Sequence, residues 1–571
     1  MTVALGIVTG TFNRINSLVR FIESVRREIP RGLSYTITVI DGGSTDQTIG
    51  WCLTQPDIRL IQHGELRGAI NAFSEGASLT DAAYILLGND DVSLKPYSLL
   101  AALAHLENTP TCGAVAFADN RTSLVTGDGT QYRVEGIGAT TAAGEKVMVV
   151  YPQVGLVRKW LGEQVGWWGW RDPVMRQART YGGDSYLGAR IWEAGYTVDA
   201  VPQAMIEDHI ERDALREHNA ANGGQDSSCY YARFPTVQLP AQLASADAPE
   251  RLRILYLPVY EASYPGLMNK EPGLTEALGA YGLALEVDYL NTPGFDLVAL
   301  CRAWQPDLLI TQIQGPGRIT PYQLASARNA APGMIIVNWN GDAHEHGLTA
   351  PAVLELLRYI DLQTTINAKV LPFYGAQGIR AAYWQIYFKP ALEPLPDAPV
   401  HDVLFQGNCY SKERDALVKA LRTIRPSLNL GIYGNCHGAI GNTHYNFAAQ
   451  AALYRNATIT IGDTFPNTIA FVSNRLFQCL GNGGFLLQQH SPYLSQFTGL
   501  LPGEHFIEWT TLADLKTKVN EWLQPEKAAE RQRIAAAGMA FVQAHYSAAA
   551  QVDKLFNDLL PMIAEAVHVP A

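Results

Sequence analysis

Apolar and polar positions along this chain switch repeatedly between two periods. VALGIVTG at 3–10 is an almost unbroken apolar run, the pattern of a strand covered on both faces. Ile15, Leu18, Val19, Ile22, Val25 and Ile29 then recur at helical spacing, and Pro30 closes the segment. The strand YTITVID at 35–41 leads through GGSTD into a helix; RLIQ follows, then a helix near 69–80 and the strand AYILLG at 83–88. Strands separated by helices predict a parallel, doubly wound α/β sheet. From about residue 119 the periodicity weakens, and Gly, Thr and aromatic residues dominate up to WWGW at 167–170.

A second rhythm starts after TVQLPAQLASADAPE at 236–250, which holds two prolines, several small residues and no periodicity, and is expected to be a linker. RILYLPV, ALEVDYL, DLLITQI and MIIVNWN form one alternating series; DVLFQG, LNLGIYG, ATITIG, FLLQQ and FIEW form another. Helical patterns such as KERDALVKAL and YNFAAQAALYRNA lie between them. They predict two Rossmann-like halves, about 251–395 and 396–540, with helices in the tail to 571. The expected domains are 1–235 and 251–571, since 571 residues exceed one typical core.

Composition narrows the class. Hydrophobic residues at 47% and charged residues at 17% are ordinary values for a folded chain and exclude disorder as its main state. A net charge of −11 without a dense Lys/Arg block argues against stable nucleic-acid binding. Seven cysteines, spread from Cys52 to Cys479 without a CxxC pair, predict reduced thiols and a cytoplasmic location rather than a disulfide framework. No apolar stretch reaches the roughly 18–20 residues of a transmembrane segment, and the N-terminus lacks the basic flank of a signal peptide.

Candidate chemistry gathers at two acidic turns, VIDGGSTD at 39–46 and GNDDVSL at 88–94, each ending a predicted strand. In open α/β sheets such turns collect at the carboxyl edge, so Asp41 and Asp91 are expected to face one cleft. Two carboxylates there, after an early VTGTFNR turn, suit a nucleotide-diphosphate sugar and a divalent cation. Taken in order, these turns make the region resemble a family 2 glycosyltransferase of GT-A fold, a Rossmann-like nucleotide-diphospho-sugar transferase. The resemblance implies Mn²⁺ or Mg²⁺ held through oxygen ligands. Asn89-Asp90-Asp91 matches the family's D-x-D-like motif: Asp91 is the implied metal ligand, and Asn89 supplies a neutral carbonyl oxygen where the family has an acid. Read without the resemblance, the triplet also fits a turn with helix-capping carboxylates, the lesser reading.

The resemblance places Thr9, Thr11, Arg14, Asp41 and Asp90 around the donor, with Asp41 reading base and ribose. Arg67 and Asn71 match the segment beneath the nucleotide, or are a surface arginine and a helix-start asparagine. In YGGDSYLGARIWEAGYTV, Asp184 matches the acid that serves as general base of an inverting transfer, and Gly183 stands where the family carries another acid; Asp184 also suits a helix N-terminus. His209 is either a metal ligand or structural. Trp167, Trp168 and Trp170 form either a wall for an acceptor sugar or ordinary core.

The C-terminal half resembles the CgeB-like glycosyltransferases, a GT-B group, most closely at NRLFQCLGNGGFLLQQ. This implies that Arg475 faces a donor diphosphate; Gln478 stands where the family has a ribose-binding Glu, and Lys412 and Arg414 are further phosphate candidates. Asp342 and His344, in NWNGDAHEHG, are candidates to position or deprotonate an acceptor. The expectation is a GT-A domain fused to a GT-B domain of two Rossmann-like halves: a bifunctional glycosyltransferase, or one whose second domain only binds carbohydrate or a partner. A glycan, a protein or a modified nucleobase of the phage-DNA type are candidate acceptors.

Overall fold

A computed structural model describes residues 3–29, 33–125, 131–209, 213–246, 252–258, 273–290, 292, 294–313, 317, 319–340, 351–385, 400–409, 411–441, 447–463 and 472–565. Contacts divide the chain into two compact units, Met1–Arg251 with Val298–Gln305, and Leu252–Leu297 with Pro306–Ala571.

The first unit begins as the periodicity predicts, with β1 (Val3–Thr11), α1 (Ile15–Glu28), β2 (Tyr35–Asp41), α2 (Thr48–Leu53), β3 (Ile58–Gln62), α3 (Ala69–Leu79) and β4 (Ala82–Leu87). Leu18, Phe21, Ile22 and Val25 of α1 are fully buried. There follow β5 (Val92–Leu94), α4 (Ser98–Asn108), β6 (Cys112–Val125), β7 (Gln131–Arg133), β8 (Gly136–Thr140), β9 (Lys146–Val150), β10 (Gly155–Arg158), α5 (Lys159–Val165), α6 (Gly183–Glu193), β11 (Thr197–Asp208), α7 (Ala214–Arg233) and β12 (Val237–Gln238). Among the described residues one nine-stranded sheet runs β3-β2-β1-β4-β10-β6-β11-β5, with β7 paired to β6. Strands β1 to β4 are parallel, whereas β10 runs antiparallel to both neighbours and β5 antiparallel to β11. The sheet is therefore mixed and not purely parallel: the short strands β5, β7 and β10 pair antiparallel, the last two supplied by the irregular stretch after residue 119. Strand order reverses between β1 and β4, so a crevice opens beyond their carboxyl ends.

Residues 236–246 are not a free linker. Val237 and Gln238 pair with β8, the Ala246 N–H donates to the Pro110 carbonyl, and Val237 and Ala246 are buried. Their small and apolar residues fit a groove of the first unit, which composition alone does not reveal.

The second unit contains two parallel sheets. Strands β13 (Leu252–Leu257), β14 (Gly282–Glu286), β15 (Leu308–Thr311), β16 (Ile335–Asn340), β17 (Leu362–Thr365) and β18 (Ala381–Tyr383) are ordered β14-β13-β15-β16-β17-β18. Strands β19 (His401–Gln406), β20 (Leu430–Tyr433), β21 (Ala457–Gly462), β22 (Leu486–Gln489) and β23 (Ile507–Trp509) are ordered β20-β19-β21-β22-β23. Each order has the reversal of a Rossmann-like half. The C-terminal helix returns to the first half: Val552, Leu555 and Leu559 join its core, and the Trp384 indole donates to the Gln551 carbonyl at 3.1 Å.

The cysteines correct one expectation. Cys409 and Cys436 form a disulfide, with Cα atoms 4.9 Å apart, while Cys52, Cys112, Cys229, Cys301 and Cys479 keep their thiols. The pair follows β19 and β20, neighbouring strands whose carboxyl ends converge although 27 residues separate the two cysteines.

Candidate functional site

The crevice beyond β1 and β4 is a cleft of about 410 Å³. Its floor is built by the first loop and two turns. Register pairs Thr11 with Asp41, bringing the first loop beside GGSTD, where Asn13 Oδ1 accepts the Thr45 N–H at 2.7 Å. Asp41 is buried and turned inward: its carboxylate accepts N–H groups of Gly43 and Ser44, at 2.9 and 3.0 Å. Gly43 holds a φ of +93°, a backbone region that favours glycine. Asp41 thus shapes the turn, while Gly42 lines the cleft.

Asn89, Asp90 and Asp91 line the opposite side. Asp90 Oδ2 accepts the Thr11 hydroxyl at 2.8 Å, and Oδ1 accepts Arg14 Nη1 at 3.0 Å. Arg14 also reaches Asp91 at 3.3 Å and grips Asp213 through two bonds of 2.6 and 2.8 Å. Asp213 in turn caps α7, accepting the Arg216 N–H, and the Arg216 side chain reaches Asp91 at 3.0 Å. Burial, partly offset by Arg14 and reinforced by Asp91, raises the Asp90 carboxyl to about 6. Burial works against the Arg14 charge, but Asp213, Asp90 and Asp91 outweigh it and hold its pKa above the usual value.

Asp184 reaches the same cleft from the first turn of α6, its Oδ1 accepting the Ser185 N–H at 2.7 Å. Burial, partly offset by that N–H and reinforced by Glu135, raises its carboxyl to about 6. Trp168 forms a wall, stacked on Phe73 with ring centroids 4.2 Å apart. A Cβ at Gly183 would meet the Trp168 ring at 2.6 Å, so the indole takes the room that an acid there would need.

Not every residue singled out by sequence converges here. Thr9 is buried in β1, and its hydroxyl has no hydrogen-bond partner among the described residues. Arg67 lines the cleft, while Asn71 donates to the Arg67 carbonyl and lies outside the lining. His209 Nε2 is hydrogen-bonded to the Ser93 hydroxyl; its neighbour Asp208, last residue of β11, lines the cleft instead. Trp167 is core, and Trp170 carries Arg171 over its ring at 4.8 Å; neither lines the cleft. Asp208, Asp213, Arg216, Glu135, Tyr181 and Asn219 escaped the sequence reading. Only Asp213 had a local signal, a capping aspartate ahead of a helix.

In the second unit, Asp463 after β21 accepts two bonds from Arg414, at 2.5 and 3.3 Å, and is also bonded to Arg475. Burial works to raise the Asp463 carboxyl, but Arg475 and Arg414 outweigh it and hold it below the usual range. Arg475 lies over the Phe405 ring at 5.3 Å, Gln478 is buried, and Lys412 is exposed. Asp342 and His344 fall outside the described residues.

The charged groups that line the cleft are acidic in balance. Asp90, Asp91, Glu135, Asp184 and Asp208 supply five carboxylates against the three guanidinium groups of Arg14, Arg67 and Arg216, and all the acidic donors are oxygens.

Residues 6–158 match the family model Glycosyl transferase family 2, and residues 414–557 match the model Glycosyl transferase-like. By its domains this chain is a glycosyltransferase. It carries a family 2 domain at its N-terminal end and a second, GT-B-type domain at its C-terminal end. No curated protein sequence matches it. Among solved structures, it is similar to the mannosyltransferase PcManGT from Pyrobaculum calidifontis in complex with GDP-Man and Mn²⁺: 17% identity, 41% of this chain and 65% of that chain covered, TM-score 0.32. It is also similar to GalNAc-T7 with UDP, GalNAc and Mn²⁺ (14% identity, 36% and 44% covered, TM-score 0.30) and to S. aureus TarS 1-349 (10%, 40% and 72%, TM-score 0.28). The chain thus spans less than two thirds of the length of the first two structures, at 65% and 44%.

Proposed function

We propose that the first unit transfers a sugar from a nucleotide-diphosphate donor to an acceptor hydroxyl in a single displacement that inverts the anomeric centre. The observation that carries this reading is the shared cleft of Asp184 and the Asn89-Asp90-Asp91 turn. Asn89, Asp91 and Asp208 would hold Mn²⁺ or Mg²⁺, whose charge neutralises the departing diphosphate. Arg14, fixed by Asp90 and Asp213, keeps the Asp90-Asp91 turn in place, and the half-exposed Arg216 is free to turn from Asp91 toward a phosphate. Asp184 takes the acceptor proton on Oδ2, since Oδ1 is engaged by Ser185. The acceptor oxygen bonds to the anomeric carbon as the bond to the diphosphate breaks. Trp168 offers its ring to the acceptor, be it a glycan, a protein or a modified nucleobase; the net charge of −11 disfavours stable nucleic-acid binding.

The two glycosyltransferase-type domains support a bifunctional enzyme. One observation favours a silent second domain instead: the candidate phosphate ligands Arg475 and Arg414 are both bound to Asp463.

Thermal shift of the full chain against nucleotide sugars with Mn²⁺ tests the first-unit reading. A donor at 100 times its dissociation constant should stabilise by about 2.7 kcal/mol. Asp91→Ala should abolish the metal-dependent part of that shift together with transfer. Unchanged transfer and metal titration in this variant would remove Asp91 from the site.

A further inference from the structure

A second group of ligating side chains lies away from the cleft, where α4 descends onto the start of the β6–β11 pair. His105 is in the last turn of α4, Cys112 is the first residue of β6, and Asp199 lies near the start of β11. Register sets Thr197 opposite Cys112 and Asp199 opposite Val115, so Asp199, two residues beyond Thr197, shares its face of the strand. His105 Nε2 and Asp199 Oδ2 are 2.7 Å apart. One ligand atom from each of the three residues lies within 4.8 Å of the others. Cys112 is fully buried, while the His105 and Asp199 side chains are 31% and 29% exposed, which leaves an entry path.

We infer that His105, Cys112 and Asp199 form a transition-metal site, taking Zn²⁺ as its natural occupant. The donors are an imidazole nitrogen, a thiolate and a carboxylate oxygen. That mixed set suits a borderline-soft ion, whereas the all-oxygen donors of the cleft suit Mn²⁺ or Mg²⁺. Zinc at its usual bond lengths of about 2.0–2.3 Å separates its ligand atoms by roughly 3–4 Å, a small rotamer adjustment from the observed span. Binding replaces the His105–Asp199 hydrogen bond by two bonds to the ion: Nε2 gives up the proton it shared with the carboxylate, leaving a neutral ring protonated on Nδ1, and the Cys112 thiol releases its proton to solvent as the sulfur–metal bond forms. A water molecule completes the fourth position. The site lies at the opposite end of β11 from Asp208, so its role is to clamp α4 to the two strands and not to touch substrate.

The rival reading is a plain histidine–aspartate pair at a helix C-terminus, where a cationic imidazole also complements the helix dipole. Co²⁺ titration of the reduced, chelator-stripped full chain separates the two. A thiolate-to-cobalt charge-transfer band should grow to one equivalent and be displaced by Zn²⁺. Asp91→Asn should leave the band intact, because a cation in the cleft has no sulfur ligand. Cys112→Ser should abolish it. His105→Gln, a change at a half-exposed helix end that leaves the core intact, should weaken Co²⁺ binding by at least about 100-fold, and decides the matter if Cys112→Ser fails to fold. Absence of the band from the wild-type chain, or a band of undiminished strength and affinity in His105→Gln, would overturn the site.

Discussion

Asp184 gains its candidate role from placement. Its carboxyl stands at about 6 because burial opposes charge, whereas an ordinary aspartate is ionised well below that. A base must be unprotonated to act, so kcat/KM for transfer should rise with pH through about 6 and level off above it. An acidic limb near 4 would assign the base to another group. Asp184→Asn should lower transfer by about 10²–10⁴-fold and leave donor binding in place. Stability gives an independent check. The folded pKa lies above the unfolded one, so the native chain binds the proton more tightly, and this stabilisation is present at pH 4 and lost as pH rises through about 6. The wild-type melting temperature should therefore fall more between pH 4 and 7 than that of Asp184→Asn, which carries no such proton.

The elements that carry these residues are held by fits that leave little room. α6 starts at Gly183 under the Trp168 ring, and a methyl group there would lie 2.6 Å from it. Gly183→Ala should destabilise the first unit by about 1–3 kcal/mol, as overpacking does, and raise KM for the acceptor as Trp168 is displaced. Adding Trp168→Ala should restore part of the stability and none of the affinity. The edge element β12 is as informative. A fragment ending at residue 235 lacks the pairing of Val237 with β8 and the buried Ala246. It should melt below a fragment ending at 250 in calorimetry; equal melting would mean that this segment contributes nothing.

Two glycosyltransferase-type domains in one chain raise the question of whether both bind donors. Two arginines converge on one aspartate in the second unit, leaving one net positive charge on the triad. If that charge faces a diphosphate, the full chain should bind nucleotide sugar in two events, and Arg475→Ala should weaken one of them by about 1.5–3 kcal/mol, the worth of a charged hydrogen bond. Transfer by the first unit should be unaffected. Calorimetry of the Asp91→Ala chain isolates the second event; its absence across a donor panel would assign the second domain to carbohydrate or partner binding.

What could be read along the chain was whatever depends on near neighbours. Strand and helix alternation, the acidic turns at the ends of β2 and β4 and the placing of Asp184 near the start of α6 follow from local periodicity and turn chemistry, as does the two-domain α/β architecture. Tertiary structure decided which face each residue shows. It turned Asp41 into its own loop, left Trp167 in the core and Trp168 in the cleft, and put Asp208, the last residue of β11, in the cleft where His209 just beyond the strand was expected. It also joined Arg14 to Asp213 across 199 positions, paired Cys409 with Cys436 and set Cys112 beside Asp199. Such pairings depend on strand order and register, which are settled when distant segments pack together and carry no mark in the spacing of the residues that meet.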